Sequence, residues 1–110
     1  MVASLTSHEP ATGTLLWQGE PGDVEAEVAA ARASWLRWAA QPIAYRIETL
    51  RRFVNVVRRE DEALADLIAR ETGKPLWEAR DEVAALMGKV DISVAAYSER
   101  TGQRRLEANM

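Results

Sequence analysis

Apolar residues recur at spacings of three and four through most of the chain, a pattern that predicts amphipathic helices. The first helix is predicted to begin after Asp23, because aspartate is a favoured N-cap residue. It is predicted to end at Gln41-Pro42, where the proline starts the next helix. Its apolar stripe comprises Val24, Val28, Ala31, Trp35 and Trp38, and the two tryptophans are interpreted as core residues.

The second helical segment is predicted to run from Ile43 to about Glu71, with a break at the acidic run 60–62. Asp61 is predicted to cap the helix that follows this break. Gly73 is the expected stop, because glycine readily adopts the left-handed backbone that ends many helices, and Pro75 prevents continuation. The apolar stripe comprises Ile43, Ile47, Leu50, Val54 and Val57 and resumes at Leu64, Leu67 and Ile68.

A last, long helix is predicted from Pro75 to about Thr101, with Gly102 as its stop. Its stripe, expected to be buried, comprises Ala79, Val83, Leu86, Val90, Val94 and Tyr97. The polar segment 103–110 is expected to fray.

The first 22 residues follow a different pattern. Turn-forming residues cluster at 10–13 and at 19–22, and the short apolar run between them predicts one strand at Thr14–Gln18. A single strand cannot satisfy its own backbone, so it needs a partner in Ala3–Ser7 or outside this chain.

The expected fold class is therefore mainly α, in three regions. A turn and strand lead occupies residues 1–22, a helical unit residues 23–102, and a polar tail residues 103–110. The helical unit is predicted to hold three or four amphipathic helices, antiparallel because the connections are short.

Composition narrows the classes of function. With no cysteine among 110 residues, the chain has no disulfide, thiolate nucleophile or cysteine-bound metal. A net charge of −3 argues against nucleic acid as a partner. The sequence contains no run of 18 apolar residues, so no membrane-spanning helix is predicted. The first eight residues lack the pattern of a secretory signal, so a cytoplasmic location is expected.

Two charged clusters allow alternative interpretations. Glu78 and Glu82 lie one helical turn apart, which suits acid–base chemistry or a metal, but a solvated charged face is favoured because further ligands are missing. Five arginines of the second helix suit a nucleic-acid stripe, but ion pairing with the acidic stretch 60–66 and solvation are favoured. They are Arg46, Arg51, Arg52, Arg58 and Arg59. His8 is interpreted as an exposed polar residue.

Two stretches of the sequence resemble a known family. Residues 69–79 read Ala-Arg-Glu-Thr-Gly-Lys-Pro-Leu-Trp-Glu-Ala, and a Pro-Ala-Thr-Gly turn at 10–13 precedes Leu15-Leu16-Trp17-Gln18-Gly19. Together they resemble the N-terminal region of the aldehyde dehydrogenase superfamily. The stretches 89–93 and 96–102 are most similar to the branch of that superfamily that oxidises succinylglutamate semialdehyde in arginine catabolism. The resemblance extends over about residues 7–107.

This resemblance implies the N-terminal part of an α/β fold and an NAD(P)-dependent oxidation of an aldehyde to an acid. In that family a cysteine thiolate attacks the aldehyde, hydride passes to the nicotinamide, and a glutamate activates water. These groups, the oxyanion-stabilising asparagine and the dinucleotide-binding loop have no match in this sequence. The chain is therefore expected to be a fragment that is inactive by itself and binds neither NAD nor NADP. The first strand of the family's hairpin is expected to be shortened or lost.

The resemblance also implies positions for a site. The long helix from Leu76 would line the family's substrate tunnel, with Asp81, Ala85 and Gly88 as the tunnel-facing positions. Glu71 matches a position near a monovalent cation site in some relatives. Solvated or packed helix residues are the alternative at all of these positions.

The amount of apolar surface leads to an expectation about partners. The stripes are wider than these helices can bury among themselves, so a homo-oligomer through exposed apolar faces is expected. The alternative to an enzyme fragment is a stand-alone helical interaction module without enzymatic activity.

Overall fold

The computed structural model describes residues 4–102, so the tail predicted at 103–110 lies outside the described residues. Within that range, two strands precede four helices, which confirms a mainly helical chain with a short strand-containing lead. The strands are β1 (Leu5–His8) and β2 (Leu15–Gly19). The helices are α1 (Val24–Ala39), α2 (Ile43–Arg59), α3 (Asp61–Thr72) and α4 (Leu76–Arg100). No helix in the described range is long and apolar enough to cross a membrane.

The two strands form an antiparallel hairpin, so β1 supplies the partner that β2 needs. Ser7 lies opposite Trp17 and His8 opposite Leu15, which leaves one extra residue on β2 as a bulge. The connecting turn closes where the Gly13 amide donates to the Glu9 carbonyl at 2.8 Å. Gly13 has a φ of 74°, a conformation that glycine adopts without strain. Of the expected shortening or loss of the first strand, the loss is wrong, because four residues pair here, and the shortening relative to the family stays a prediction.

Local signals at three helix ends are confirmed. The Asp23 carboxylate accepts a hydrogen bond from the Ala26 amide at 3.0 Å and caps α1. Helix α2 begins directly after Pro42. Helix α3 ends at Gly73, whose φ is 76° and whose amide donates to the Ala69 carbonyl at 2.9 Å.

The predicted break between α2 and α3 is present, but the predicted capping role of Asp61 is wrong. Glu60 is the single residue between the helices, and its carbonyl already accepts from the Leu64 amide at 2.9 Å. Asp61 is therefore the first helical residue, and its side chain accepts from the Glu62 amide at 2.7 Å. A one-residue connection leaves no room for Asp61 to remain outside the helix.

The core of the described chain is small and lies where α2, α3 and the first half of α4 meet. Its buried members are Val57, Ala65, Ala79 and Val83, and Leu64, Ile68, Ala69 and Met87 pack against them. Alanine at two of the contact positions lets α3 approach α4 closely. This packing fixes the angle at which the helical unit folds back on itself.

The stripe predicted as buried on α4 is buried only near its beginning. Leu86 and Tyr97 are exposed, while Val90 and Val94 are half-buried. The reason is length: α3 has 12 residues, about 18 Å, whereas α4 has 25 residues, about 37 Å. Helix α3 therefore covers only the first half of α4.

The predicted burial of the tryptophans on α1 is also wrong. Every residue of α1 is exposed, including Trp35 at 59% and Trp38 at 39%. Helix α1 has an apolar stripe that α2 and α4 leave uncovered, although Trp38 borders a pocket with Ile47 of α2 and Val94 of α4. The radius of gyration is 19.8 Å, against about 13 Å for a compact domain of 100 residues. The chain is accordingly elongated and shows much of its apolar area.

Replacing Gly73 by alanine is expected to lower the free energy of unfolding by about 1–2 kcal/mol. An L-residue at a φ of 76° is strained, whereas the added Cβ would lie 3.6 Å from Pro10 in ordinary contact. Urea unfolding followed by circular dichroism measures the change. The matched control is Gly88→Ala in α4, where a Cβ meets nothing within 4 Å and about 0.5–1 kcal/mol should be gained. A Gly73→Ala variant as stable as the parent would contradict this account of the turn.

Candidate functional site

The three positions that the resemblance assigns to a substrate tunnel share one face of α4. Asp81, Ala85 and Gly88 are all exposed. They lie opposite the buried Ala79 and Val83, because two residues along a helix correspond to a rotation of about 200°. The helix therefore presents them together, away from the core. Their role in a tunnel stays a prediction.

A cluster of polar contacts surrounds the turn between α3 and α4. The Glu71 carboxylate accepts hydrogen bonds from the Ser7 hydroxyl and from the Trp17 indole. These two donors lower the pKa of Glu71, because both bonds favour the ionised carboxylate. Glu71, which the resemblance places near a cation site, thus ties the hairpin to the end of α3.

A second tie lies beside the first. The Arg70 guanidinium is 3.6 Å from the Glu9 carboxylate, and Pro10 lies close to Gly73. The turn of the hairpin therefore sits against the turn that ends α3. These contacts join segments that are about 60 residues apart in the chain, and no local pattern in the sequence predicts them.

Glu78 and Glu82, the two glutamates considered for acid–base chemistry, both interact with the side chain of Lys74. The Lys74 ammonium binds the Glu82 carboxylate and lies 3.6 Å from that of Glu78. The hydrogen bond to Glu82, with the charges of both carboxylates, raises the pKa of Lys74. Both glutamate side chains are half-exposed to solvent, which agrees with the favoured interpretation as a solvated charged face, and Lys74 lies four and eight residues before them in the chain. Within residues 4–102, no three His, Cys, Asp or Glu side chains are placed to hold a metal.

Helices α3 and α4 are joined by a further ion pair. The Arg80 guanidinium donates to both oxygens of Glu62, from Nε to Oε1 at 3.0 Å and from Nη2 to Oε2 at 2.8 Å. The hydrogen bond and the Arg80 charge lower the pKa of Glu62, and the same contact raises the pKa of Arg80. This bidentate geometry is the strongest form of such a pair.

Of the ion pairing and solvation favoured for the α2 arginines, the ion pairing is wrong for the described part of the chain, whereas four of the five are exposed, as solvation requires. No carboxylate there lies within ion-pairing distance of Arg46, Arg51, Arg52, Arg58 or Arg59. The acidic stretch is engaged elsewhere, since Glu62 binds Arg80 and Asp66 lies 4.0 Å from Arg70. Helix α2 consequently carries a positive surface that no described acid compensates.

Together, these contacts define a junction, Glu71–Pro75, that holds the hairpin, α3 and α4 in fixed positions. The spacing of Lys74 from Glu78 and Glu82 is the feature of the sequence from which the ion pairs of this junction could have been predicted. His8, interpreted as exposed, is exposed on β1.

A family model for the aldehyde dehydrogenase family matches residues 3–109. The chain therefore belongs to the aldehyde dehydrogenase family. The resemblance carried by residues 10–19 and 69–79 is confirmed.

Among its relatives, the chain is similar to enzymes named N-succinylglutamate 5-semialdehyde dehydrogenase. It is 61% identical to that of Sphingopyxis alaskensis over 110 residues, which is 100% of this chain and 23% of the relative. It is 58% identical to that of Novosphingobium aromaticivorans over 106 residues, 96% of this chain and 22% of the relative. That of Burkholderia mallei is 49% identical over 102 residues, 90% and 21% of the two chains.

The chain thus spans a little under a quarter of the length of these relatives and matches them as an N-terminal piece. The predicted resemblance to this branch of the family is confirmed. A stand-alone interaction module is not favoured, because the match runs through the whole chain.

Replacing Glu71 by glutamine is expected to reduce stability at neutral pH and to weaken its acid dependence. The folded-state pKa of Glu71 is lowered from its ordinary value near 4.5, so the ionised group stabilises the fold above that pH. This contribution is lost as the pH falls below 4.5 through the lowered pKa. Urea unfolding at neutral and acidic pH measures it. The control is Glu20→Gln, because Glu20 has no ion pair or hydrogen bond with another described residue. An unchanged pH profile for Glu71→Gln would contradict the assignment.

Proposed function

We propose that this chain supplies the N-terminal part of an NAD(P)-dependent dehydrogenase that oxidises succinylglutamate semialdehyde to the corresponding acid. The observation that carries this proposal is the 61% identity over all 110 residues to a relative named for that substrate. The proposed reaction is a two-electron oxidation in which the nicotinamide accepts the hydride.

In this proposal the chain contributes structure and part of the substrate path, while the reacting groups belong to other parts of such an enzyme. The family's reaction needs a thiolate, and this sequence has no cysteine. The hairpin and the junction Glu71–Pro75 would hold α4 in position. The α4 face with Asp81, Ala85 and Gly88 is the proposed tunnel wall, where two small residues leave room for a substrate beside one carboxylate.

The described residues do not fit a dinucleotide cofactor. A phosphate-binding loop needs closely spaced glycines between a strand and the helix that follows it. Here Gly13 lies in the hairpin turn, and Gly19 and Gly22 connect β2 to α1 without the G-x-G-x-x-G spacing and after a strand of an antiparallel pair. No step of the reaction is therefore assigned to this chain through NAD or NADP.

Two measurements test the proposed function. The 110-residue chain alone, mixed with succinylglutamate semialdehyde and NAD or NADP, is expected to give no increase in absorbance from the reduced cofactor. A chimera is then made of the Sphingopyxis alaskensis relative, in which this chain replaces the matching 110 residues. We expect the chimera to oxidise the semialdehyde within about tenfold of the parent, because most contact residues are shared at this identity.

Two variants of the chimera extend this test, one at the proposed tunnel wall and one at an exposed control position. Asp81→Asn in the chimera is expected to change KM more than kcat, since the residue is proposed to contact substrate away from the reacting atoms. Arg59→Gln on α2 is the matched exposed control. A folded chimera without activity would overturn the proposed function, and so would reduced cofactor formed by the isolated chain.

The exposed apolar surface supports a further part of the proposal, namely that the isolated chain is a homo-oligomer. Large apolar side chains are exposed on all four described helices, among them Trp35, Leu36 and Trp38 on α1, Tyr45, Phe53 and Val56 on α2, Leu67 on α3, and Trp77, Ile92 and Tyr97 on α4. Burying such surface between copies removes it from water, at about 25 cal/mol per Å². The second copy is the proposed occupant of these faces in the isolated chain.

Light scattering coupled to size exclusion tests this association. The mass expected is at least twice the 12.2 kDa of one chain. Trp35→Ser on the wholly exposed α1 should shift the mass toward one chain without changing the helical signal, because no described contact of the core involves Trp35. Lys89→Ser on α4 is the polar control. A stable monomer at high concentration would refute the association.

The proposed compartment is the cytoplasm. The chemistry of the family requires a free thiolate, and reducing compartments keep cysteine in that form.

A further inference from the structure

The positive surface of α2 borders a groove against α4 that shares only Gly88 with the proposed tunnel wall. The groove has a volume of about 340 Å³. Arg51, Asn55 and Arg58 line it from α2, and Gly88 and Asp91 line it from α4. Its base is apolar at Met87. The groove lies well away from the junction at Glu71–Pro75, on the other half of α4.

The side chains from α2 reach the groove together because of their spacing. Arg51 and Arg58 are seven residues apart, which is about two helical turns and returns to the same face. Asn55 lies between them on that face and accepts a hydrogen bond from Arg58 Nη1 at 3.1 Å. The accepting oxygen of Asn55 is thereby used, and its amide nitrogen and the remaining guanidinium nitrogens can only donate.

The charged side chains that line the groove do not neutralise one another. No described carboxylate lies within ion-pairing distance of Arg51 or Arg58, and Asp91 shares the groove without bridging to either. The two guanidinium groups and the single carboxylate leave a net positive charge. Groups arranged in this way attract an anion that carries more than one negative charge.

Access to the groove is open at Gly88. A Cβ built on this glycine would meet nothing within 4 Å, so the backbone of α4 leaves space next to the two arginines. The groove has room for a tetrahedral oxyanion, since its volume is several times the roughly 30 Å³ occupied by one water molecule.

From these observations we propose that the groove between α2 and α4 binds a small doubly charged oxyanion of the phosphate type. Guanidinium groups match the oxygens of phosphate through paired hydrogen bonds, with Arg51 and Arg58 approaching from one side. Asp91 lowers the affinity for every anion, but two arginines against one carboxylate still leave a net attraction for a dianion. The short groove and the carboxylate at its edge disfavour an extended polyanion such as a nucleic acid.

Titration of the 110-residue chain with inorganic phosphate at low ionic strength tests the site. The pH is kept near 8, where phosphate is mainly the dianion, and binding is followed by calorimetry and by amide shifts in NMR spectra. Saturable binding with shifts at residues 51–58 and 87–91 is expected. Arg51→Gln and Arg58→Gln should each weaken binding by about tenfold, since a hydrogen bond to a charged group is lost.

Two further variants separate a built site from general attraction to a basic helix. Arg52→Gln removes the same charge from α2 outside this groove and should change the affinity by less than about twofold. Asp91→Asn should strengthen phosphate binding several-fold and increase the preference for phosphate over acetate, because the removed charge repels a dianion more than a monoanion. Circular dichroism confirms that each variant keeps its helices, as expected for exposed positions.

Comparison with phenyl phosphate distinguishes the source of the anion. Tighter binding of phenyl phosphate supports an organic phosphate ester whose apolar part covers Met87, and tighter binding of inorganic phosphate supports the free ion. The proposal is overturned if phosphate does not bind in the millimolar range. It is equally overturned if Arg52→Gln weakens binding as much as Arg51→Gln does.

Discussion

Helix α3 returns against α4 because Gly73 adopts a left-handed backbone conformation between them, and the remaining contacts depend on this reversal. It brings Ala65 next to Ala79 and Val83, where small side chains allow close approach. The same turn offers Glu71 and Lys74 to partners on both sides. A different backbone at this one position would separate the hairpin, α3 and α4, since each is attached within a few residues of the turn.

The distribution of ion pairs follows from that geometry. The reversal places Arg80 opposite Glu62 and sets Lys74 between two glutamates of α4, so the carboxylates near the core have cations close at hand. The arginines of α2 face away from these acids. They keep their positive charge, and this charge is the basis of the anion binding proposed for the α2–α4 groove. Because Glu62 pairs with Arg80, and Glu78 and Glu82 pair with Lys74, these acids do not compensate the arginines of α2.

The sequence predicted the local features of the fold well. Asp23 and Gly73 marked helix ends correctly, because capping depends on the chemistry of a few neighbouring residues. Burial was predicted less well. The periodicity predicts a buried stripe with Trp35 and Trp38, yet such a pattern shows only that a helix has an apolar face, not which surface covers it. For the candidate site, the tunnel positions rested on resemblance alone.

The sequence by itself determined the helices and their ends, the family and the absence of a thiol nucleophile, since each is written in residue type or in short-range spacing. Only the tertiary structure decided that Glu71 binds Trp17, that Lys74 binds Glu82, and that the α2 arginines have no described acid partner. The physical reason is distance along the chain. Ion pairs and burial depend on which surfaces meet after the chain folds back, and a local pattern does not specify the direction of that return.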